Sequence, residues 1–336
     1  MSSSRDAWLG LVFEEVLLPD LSICDAHHHL WDGSADLYPG GVYMGPELTA
    51  DAQAGHNVVS TVFVDCMSGY LNGGPEELRP TGESAFAVTV AKKQIDIGGP
   101  KLGAIVSHAD VTLGAAIRPV LERHVDVGDG LFRGIRYATA WDPHPDVRGN
   151  HINAPGDTLD TNAFHEALAV LASMALTFDA WVYHHQLPQV ARAAAQVPDS
   201  KIVVDHLGGP LRMGPYVNDP SVRPLWRENL SMVAAQPNTY LKLGGIAMPT
   251  MGADWRGGPR PATSAELAER WAEDIEFAVH VFGADRCLFE SNFPVDRQNV
   301  SYVVLWNAFK RIAADWSAED RRLAFHDTAA AVYSIE

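Results

Sequence analysis

Histidines and carboxylates recur in this sequence at the ends of short apolar runs, where residues distant in the chain can meet. His27 and His29 stand two apart in LSICDAHHHL at 21–30. In an extended strand residues two apart share a face, so both imidazoles address one point and can share a divalent metal. The competing reading is a hydrogen-bonded histidine cluster inside a core. Other runs carry similar groups: His184-His185 close 176–185, Asp205-His206 lie in 201–209, and Glu290-Ser291-Asn292 lie in 286–294. Polar residues gathered at the ends of several strands of one barrel read as an active site.

Those residues need a scaffold that brings many strand ends together. Eight runs rich in β-branched residues, at 21–30, 58–66, 101–110, 132–141, 176–185, 201–209, 239–247 and 286–294, alternate with stretches of helical periodicity. That alternation marks βα units, and eight parallel strands close a (β/α)₈ TIM barrel. Segments 164–175, 187–196, 224–236, 264–282 and 300–315 space apolar residues at three or four, as outer helices do, and 317–333 reads as a final helix. Long Gly- and Pro-rich connections at 67–84, 142–161 and 248–263 follow strand ends, on the face where barrel enzymes keep their chemistry.

At 336 residues, 47% hydrophobic and 20% charged, the chain suits one barrel domain over 1–336, with the barrel at about 21–333 and an N-terminal extension at 1–20. A formal net charge of −17 with no basic stripe argues against nucleic acid. The first residues interrupt their apolar positions with Arg5, Asp6, Glu14 and Glu15, which fits neither a signal peptide nor a membrane span and predicts a cytoplasmic protein. Cys24, Cys66 and Cys287 lie far apart with no CxxC spacing, as buried thiols in a reducing compartment do. Apolar outer helices make a homodimer plausible.

The motifs DAHHHLWD, VYHHQLP, DHLGGP and FESNFPVD together resemble the amidohydrolase-related (type 2) family, in register over about 23–333. This family includes sugar-lactone and 2-pyrone-4,6-dicarboxylate lactonases, with non-oxidative decarboxylases among its relatives. The resemblance implies that His27, His29 and His184 are metal ligands, zinc first among the candidates, and that His206 is the acid/base or carbonyl-polarising group. Asn292 stands where the family usually has a metal-binding, proton-abstracting aspartate. A neutral amide cannot accept that proton, so metal affinity should fall, and the base must be Glu290 or Asp296. Each has a structural alternative: Asp296 as a helix cap, Glu290 as the partner of a barrel lysine.

Lys242 in LKLGG is inward by parity, as an ion-pair partner or as a catalytic group, and Gly244-Gly245 beside it would let backbone approach a ligand. Arg136 can hold a substrate carboxylate bidentately or form a salt bridge beneath the pocket. His108 and Asp110 read as rim groups, Asp110 equally as a helix N-cap. The loops add Tyr70, Arg79, Trp141, His144, Arg148, His151, Arg212, Tyr216, Trp255 and Arg256. These suit a flat, unsaturated or aromatic acid. The expectation is a hydrolase of a lactone or related cyclic ester or amide in a small carboxylated, hence anionic, molecule. A metal-dependent decarboxylase of an aromatic acid is the alternative, and an inactive binding barrel a third.

Overall fold

The computed structural model describes residues 4–33, 41–147 and 151–336. Eight parallel strands form one sheet in chain order: β1 (Ser22–His28), β2 (Asn57–Val64), β3 (Lys101–Ser107), β4 (Phe132–Ala138), β5 (Thr177–Trp181), β6 (Lys201–Val204), β7 (Thr239–Leu243) and β8 (Cys287–Phe289). Seven fall within an apolar run read from the sequence, and β2 begins one residue before its run. β8 is short, and the ring closes just beyond it: Asn292 N–H donates to His27 O at 2.9 Å and His29 N–H to Phe293 O at 2.7 Å. The result is a nearly closed (β/α)₈ barrel.

Four helices are not evident from periodicity: α1 (Ser4–Leu9), α2 (Gly45–Ala52), α3 (Thr81–Asp96) and α4 (Arg118–Val127). α3 begins inside the stretch expected to be loop, because its buried face is built mainly of Thr, Gly, Ser, Ala and Val, which make a weak apolar stripe. The expected outer helices are present as α5 (Asn162–Ser173), α6 (Leu187–Gln196), α7 (Val222–Ala234), α8 (Ser264–Phe282) and α9 (Tyr302–Ile312). The final segment is not one α-helix: α10 (Ala318–Arg322) and α11 (Thr328–Val332) flank a π-helical turn, Leu323–Asp327. Among the described residues no helix is long and apolar enough to cross a membrane.

Cys24, Ala26, Val62, Val64, Ala104, Val106, Val203 and Leu288 pack together with Tyr333 in the ring's interior. Strict alternation from Cys24 would send His27 outward, as it does Asp25, which meets Ser291 N and the Tyr302 hydroxyl. The register against β2 runs Asp25 to Thr61 and then His28 to Phe63, so three residues of β1 oppose two of β2. This bulge reverses the facing and turns His27 and His29 inward. The N-terminal extension binds along the outer helices: Glu14 accepts from Ser264 N–H, and Asn307 joins Glu14, Glu15 and Leu17.

Candidate active site

His27 lies at the centre of the polar cluster. Its Nδ1 is 2.9 Å from Glu290 Oε2, 3.2 Å from Lys242 Nζ and 3.6 Å from Asp205 Oδ1. Its Nε2 is 3.2 Å from His29 Nε2 and 3.4 Å from Arg136 Nη1, and its ring centre is 4.6 Å from that of His206. His29 Nδ1 stands 2.8 Å from Val64 O, which assigns it the ring hydrogen. Burial pushes both imidazoles well below their ordinary range, assisted by Lys242 at His27 and by Arg136 at His29, so both are neutral.

Glu290 spans the two histidines. Oε1 accepts from His206 Nδ1 at 2.6 Å and from the His206 backbone N–H at 3.0 Å. Burial pushes this carboxyl up, but His206 and His27 outweigh it and hold it at about 2. His206, Leu207, Gly208 and Gly209 have φ of 53°, 55°, 68° and 59°, four successive left-handed residues. For the two non-glycine residues this conformation costs about 1 kcal/mol or more each, which the surrounding contacts must hold in place. Gly244 and Gly245 serve that packing and not, as expected, a ligand's approach: a Cβ on Gly244 would fall 2.1 Å from Glu290 Cγ, and one on Gly245 2.8 Å from His206 Cβ.

Lys242 is fully buried between Asp179 at 2.7 Å and Asp205 at 2.9 Å. Burial opposes its charge, but these carboxylates and Glu290 prevail and raise its affinity for the proton. Its partners are therefore two aspartates, with Glu290 a more distant contributor. Asp205 keeps its charge, and burial with Asp205 close by pushes Asp179 upward; the Tyr333 hydroxyl donates to Asp179 at 2.7 Å.

Asn292 donates its amide N–H to Asp296 Oδ1 at 2.9 Å, and Ala247 N–H donates to Asp296 Oδ2 at 2.9 Å. Asp296 thus joins the β7 and β8 loops instead of capping a helix. Burial raises its carboxyl to about 7. Asp110, in contrast, is the N-cap expected of it, accepting from Thr112 N–H at 2.9 Å.

His184 is buried away from this group. It lies in the turn after β5, packed on Tyr216, with Nδ1 3.5 Å from Leu211 N, and burial lowers it to about 4. His185 points to Trp141 O at 2.9 Å. No described hydrogen bond or ring contact joins either to His27, His29 or His206. The inward side of β5 presents Asp179 and Trp181 instead, and Trp181 lies 4.8 Å, ring to ring, from His206. Trp141 is 39% exposed and sits on the rim. Arg136 donates to the Asp65 backbone oxygen and lies 3.6 Å from Asp65 Oδ2. His108 stacks on Tyr137 at 5.4 Å, and His151 reaches within 3.7 Å of Asp65 Oδ2. Arg148 lies outside the described residues.

Asp65, Asp179 and Trp181, which stand beside this cluster, escape the sequence reading as candidates, and Asp205 enters it only as a strand-end polar residue without a role. Alternation signals Asp179 and Trp181, two apart within TFDAW, and gives Asp205 its inward facing, two after Val203. Asp65 lies past the end of β2, where no periodicity applies.

The donors do not fit a resident divalent ion as they stand. His27, Asp205 and His206 offer atoms within 4.8 Å of one another, but Lys242 Nζ already contacts two of the three. The His27–His29 pair has the spacing of a tetrahedral zinc edge, yet Arg136 stands where a further ligand would be needed.

The comparisons agree with this architecture. An uncharacterized protein, y4mH, of Sinorhizobium fredii is 30% identical over 95% of this chain and 100% of its own length. An L-fucono-1,5-lactonase of Burkholderia multivorans is 25% identical over 93% of this chain and 95% of its own. A crystal structure of an amidohydrolase from Burkholderia multivorans with bound zinc superimposes with a TM-score of 0.71 at 24% identity, covering 94% of this chain and 99% of that one. The amidohydrolase family profile matches residues 24–335, and the chain is a member of that family of hydrolases.

Proposed function

We propose that this chain opens a lactone, with the Glu290–His206 dyad activating water. The 2.6 Å contact between His206 Nδ1 and Glu290 Oε1 carries the reading. An ionised carboxylate only accepts, so Nδ1 holds the ring hydrogen and Nε2 keeps a lone pair for a water proton. Glu290, held at about 2, orients the imidazole and stabilises its cation, and is itself too weak a base to take the proton. Water attacks the carbonyl carbon as its proton passes to His206. Arg136, beside the His27–His29 edge, supports the charge growing on the carbonyl oxygen. Collapse breaks the ring C–O bond, and His206 returns the proton to the departing alkoxide.

The L-fucono-1,5-lactonase relative supports this chemistry. In this reading Lys242 and Arg136 supply the positive field that an ion would otherwise supply, and no step requires zinc. Decarboxylation, which on this scaffold leans on a metal to hold the substrate, is disfavoured by the same two cations. His206→Asn on a panel of lactones, followed by proton release, should lower kcat by about 10³-fold. Activity within tenfold of wild type would remove the dyad from the mechanism. A wild-type protein inert toward every lactone would remove the lactonase reading.

A further inference from the structure

We infer that a cavity beside the barrel mouth, outside the catalytic cluster, is a binding site for a phosphoryl dianion, free or carried by a small monoester.

The cavity lies between the loops after β6 and β7 and the helices α7 and α8 that follow them, and measures about 460 Å³. None of His27, His29, Arg136, His206 and Glu290 lines it. Arg212 reaches it from the β6 loop, Arg223 from the first turn of α7 and Arg270 from α8. A chain with 25 basic residues against 42 acidic ones thus gathers guanidinium groups around one small space.

The carboxylates at hand do not match them. Buried Asp274 is shared: it stands 2.5 Å from Arg223 Nε, 3.1 Å from Arg212 Nη2 and 3.6 Å from Arg227 Nη2. Glu273 is taken by Arg223 and Arg227, both at 2.7 Å. Arg270 has no ion pair among the described residues, and its Nη1 donates to Gly252 O at 2.9 Å. Of the other acids on the lining, Asp219 turns back to Ser221, accepting from its N–H at 2.9 Å and its hydroxyl at 2.7 Å, and Asp254 is exposed to water. Four arginines therefore draw on two carboxylates. Burial weakens Arg212's hold on its proton; Asp274 opposes this, but Arg270 and Arg223 add to the burial and the net direction is downward. A guanidinium driven that way stands where negative charge is in short supply.

The arginines are also held ready. Arg212 lies over the Trp271 ring at 4.3 Å and Arg270 over the Trp255 ring at 4.4 Å. A guanidinium stacked by its face keeps its N–H groups in the plane of the fork and loses little freedom when an anion arrives. One carboxylate fills one fork, whereas a phosphoryl dianion has oxygens and charge for two. Pro210, Val222 and Trp226 on the same lining give an apolar wall, where the organic body of a monoester has a place.

The test is calorimetric titration of the whole protein with inorganic phosphate, phenyl phosphate and acetate at one ionic strength and pH 7.5. The two phosphoryl probes should bind saturably, at about 1 mM or tighter, and acetate at least about tenfold more weakly. Tighter binding of phenyl phosphate than of phosphate would assign the site to a monoester, and equal binding to the free ion. Arg212→Gln and Arg270→Gln should each weaken phosphate by about tenfold or more, while Arg260→Gln, outside the cavity, leaves it unchanged. Arg270 has no carboxylate to strand, which keeps the test valid if Arg212→Gln fails to fold. Absence of saturable phosphate binding, acetate binding as tight as phosphate, or full affinity in the Arg270 variant would overturn the inference. So would a loss in Arg136→Gln alone, which would place the anion in the barrel mouth.

Discussion

The two walls of the barrel mouth are built differently. On the β6–β8 side the charges stand in ion pairs at 2.9 Å or less: Glu290 places one oxygen on His206 and the other by His27, and Lys242 sits between Asp179 and Asp205, although Glu290 Oε2 and the Asp205 oxygens make no hydrogen bond among the described residues. On the β2–β4 side the groups lie just out of reach, with Asp65 Oδ2 beyond 3.5 Å from both Arg136 and His151. The two bonds from His206 to Glu290 can hold a reactive imidazole in one orientation before anything binds, which is what general-base chemistry needs. In the proposed reading the β6–β8 side governs rate, and the looser β2–β4 side meets the substrate.

The strongest way to break this contrast is Glu290→Gln, which keeps the shape but turns one oxygen into an amide. We expect kcat to fall by about 10²- to 10³-fold with KM little changed; a loss confined to KM would move Glu290 to the binding wall. Lys242→Met leaves two buried aspartates without their cation and should cost about 3–5 kcal/mol, read from a urea midpoint. An unaltered midpoint would mean the triad is not the rigid base described.

Acidity sharpens the same contrast. The Glu290 carboxyl is depressed from 4.5 to about 2, so it contributes stability above about 4.5 that is lost as pH falls toward 2. The stability gap between wild type and Glu290→Gln should close over that interval in thermal melts. Asp296 has the opposite sign: raised from 3.8 to about 7, it contributes stability below 3.8 that is lost as pH rises through 7. Asp296→Asn should therefore gain on wild type between pH 4 and 8. The smallest expected effect is that of a strong chelator, under twofold on kcat; a large, zinc-reversible loss would show that an ion displaces Lys242 or Arg136.

The barrel was legible because βα alternation is a local property, and each of the eight strands coincides with an apolar run to within a residue at its start. That His27, His29, His206 and Glu290 would gather in one cluster was legible for the same reason, since each lies at a strand end. The sequence did not show that His184 faces Tyr216 rather than the cluster, because the turn after β5 breaks the alternation there. It gave no sign of Asp65, which a loop from β4 and a buried Glu83 surround. α3 was hidden because small side chains can face a tight core without forming an apolar stripe.

By itself the sequence determined the number and order of strands, and that histidines and carboxylates would stand at their ends, because periodicity and residue type are written locally. It also determined that position 292 lacks an acid. Only the tertiary structure decided which groups pair: a bulge in β1 turned His27 inward, Gly244 and Gly245 just after β7 let Glu290 reach His206, and Lys242 came to rest on Asp179 and Asp205. These outcomes depend on distances between strands far apart in the chain, and spacing along one strand carries no information about them.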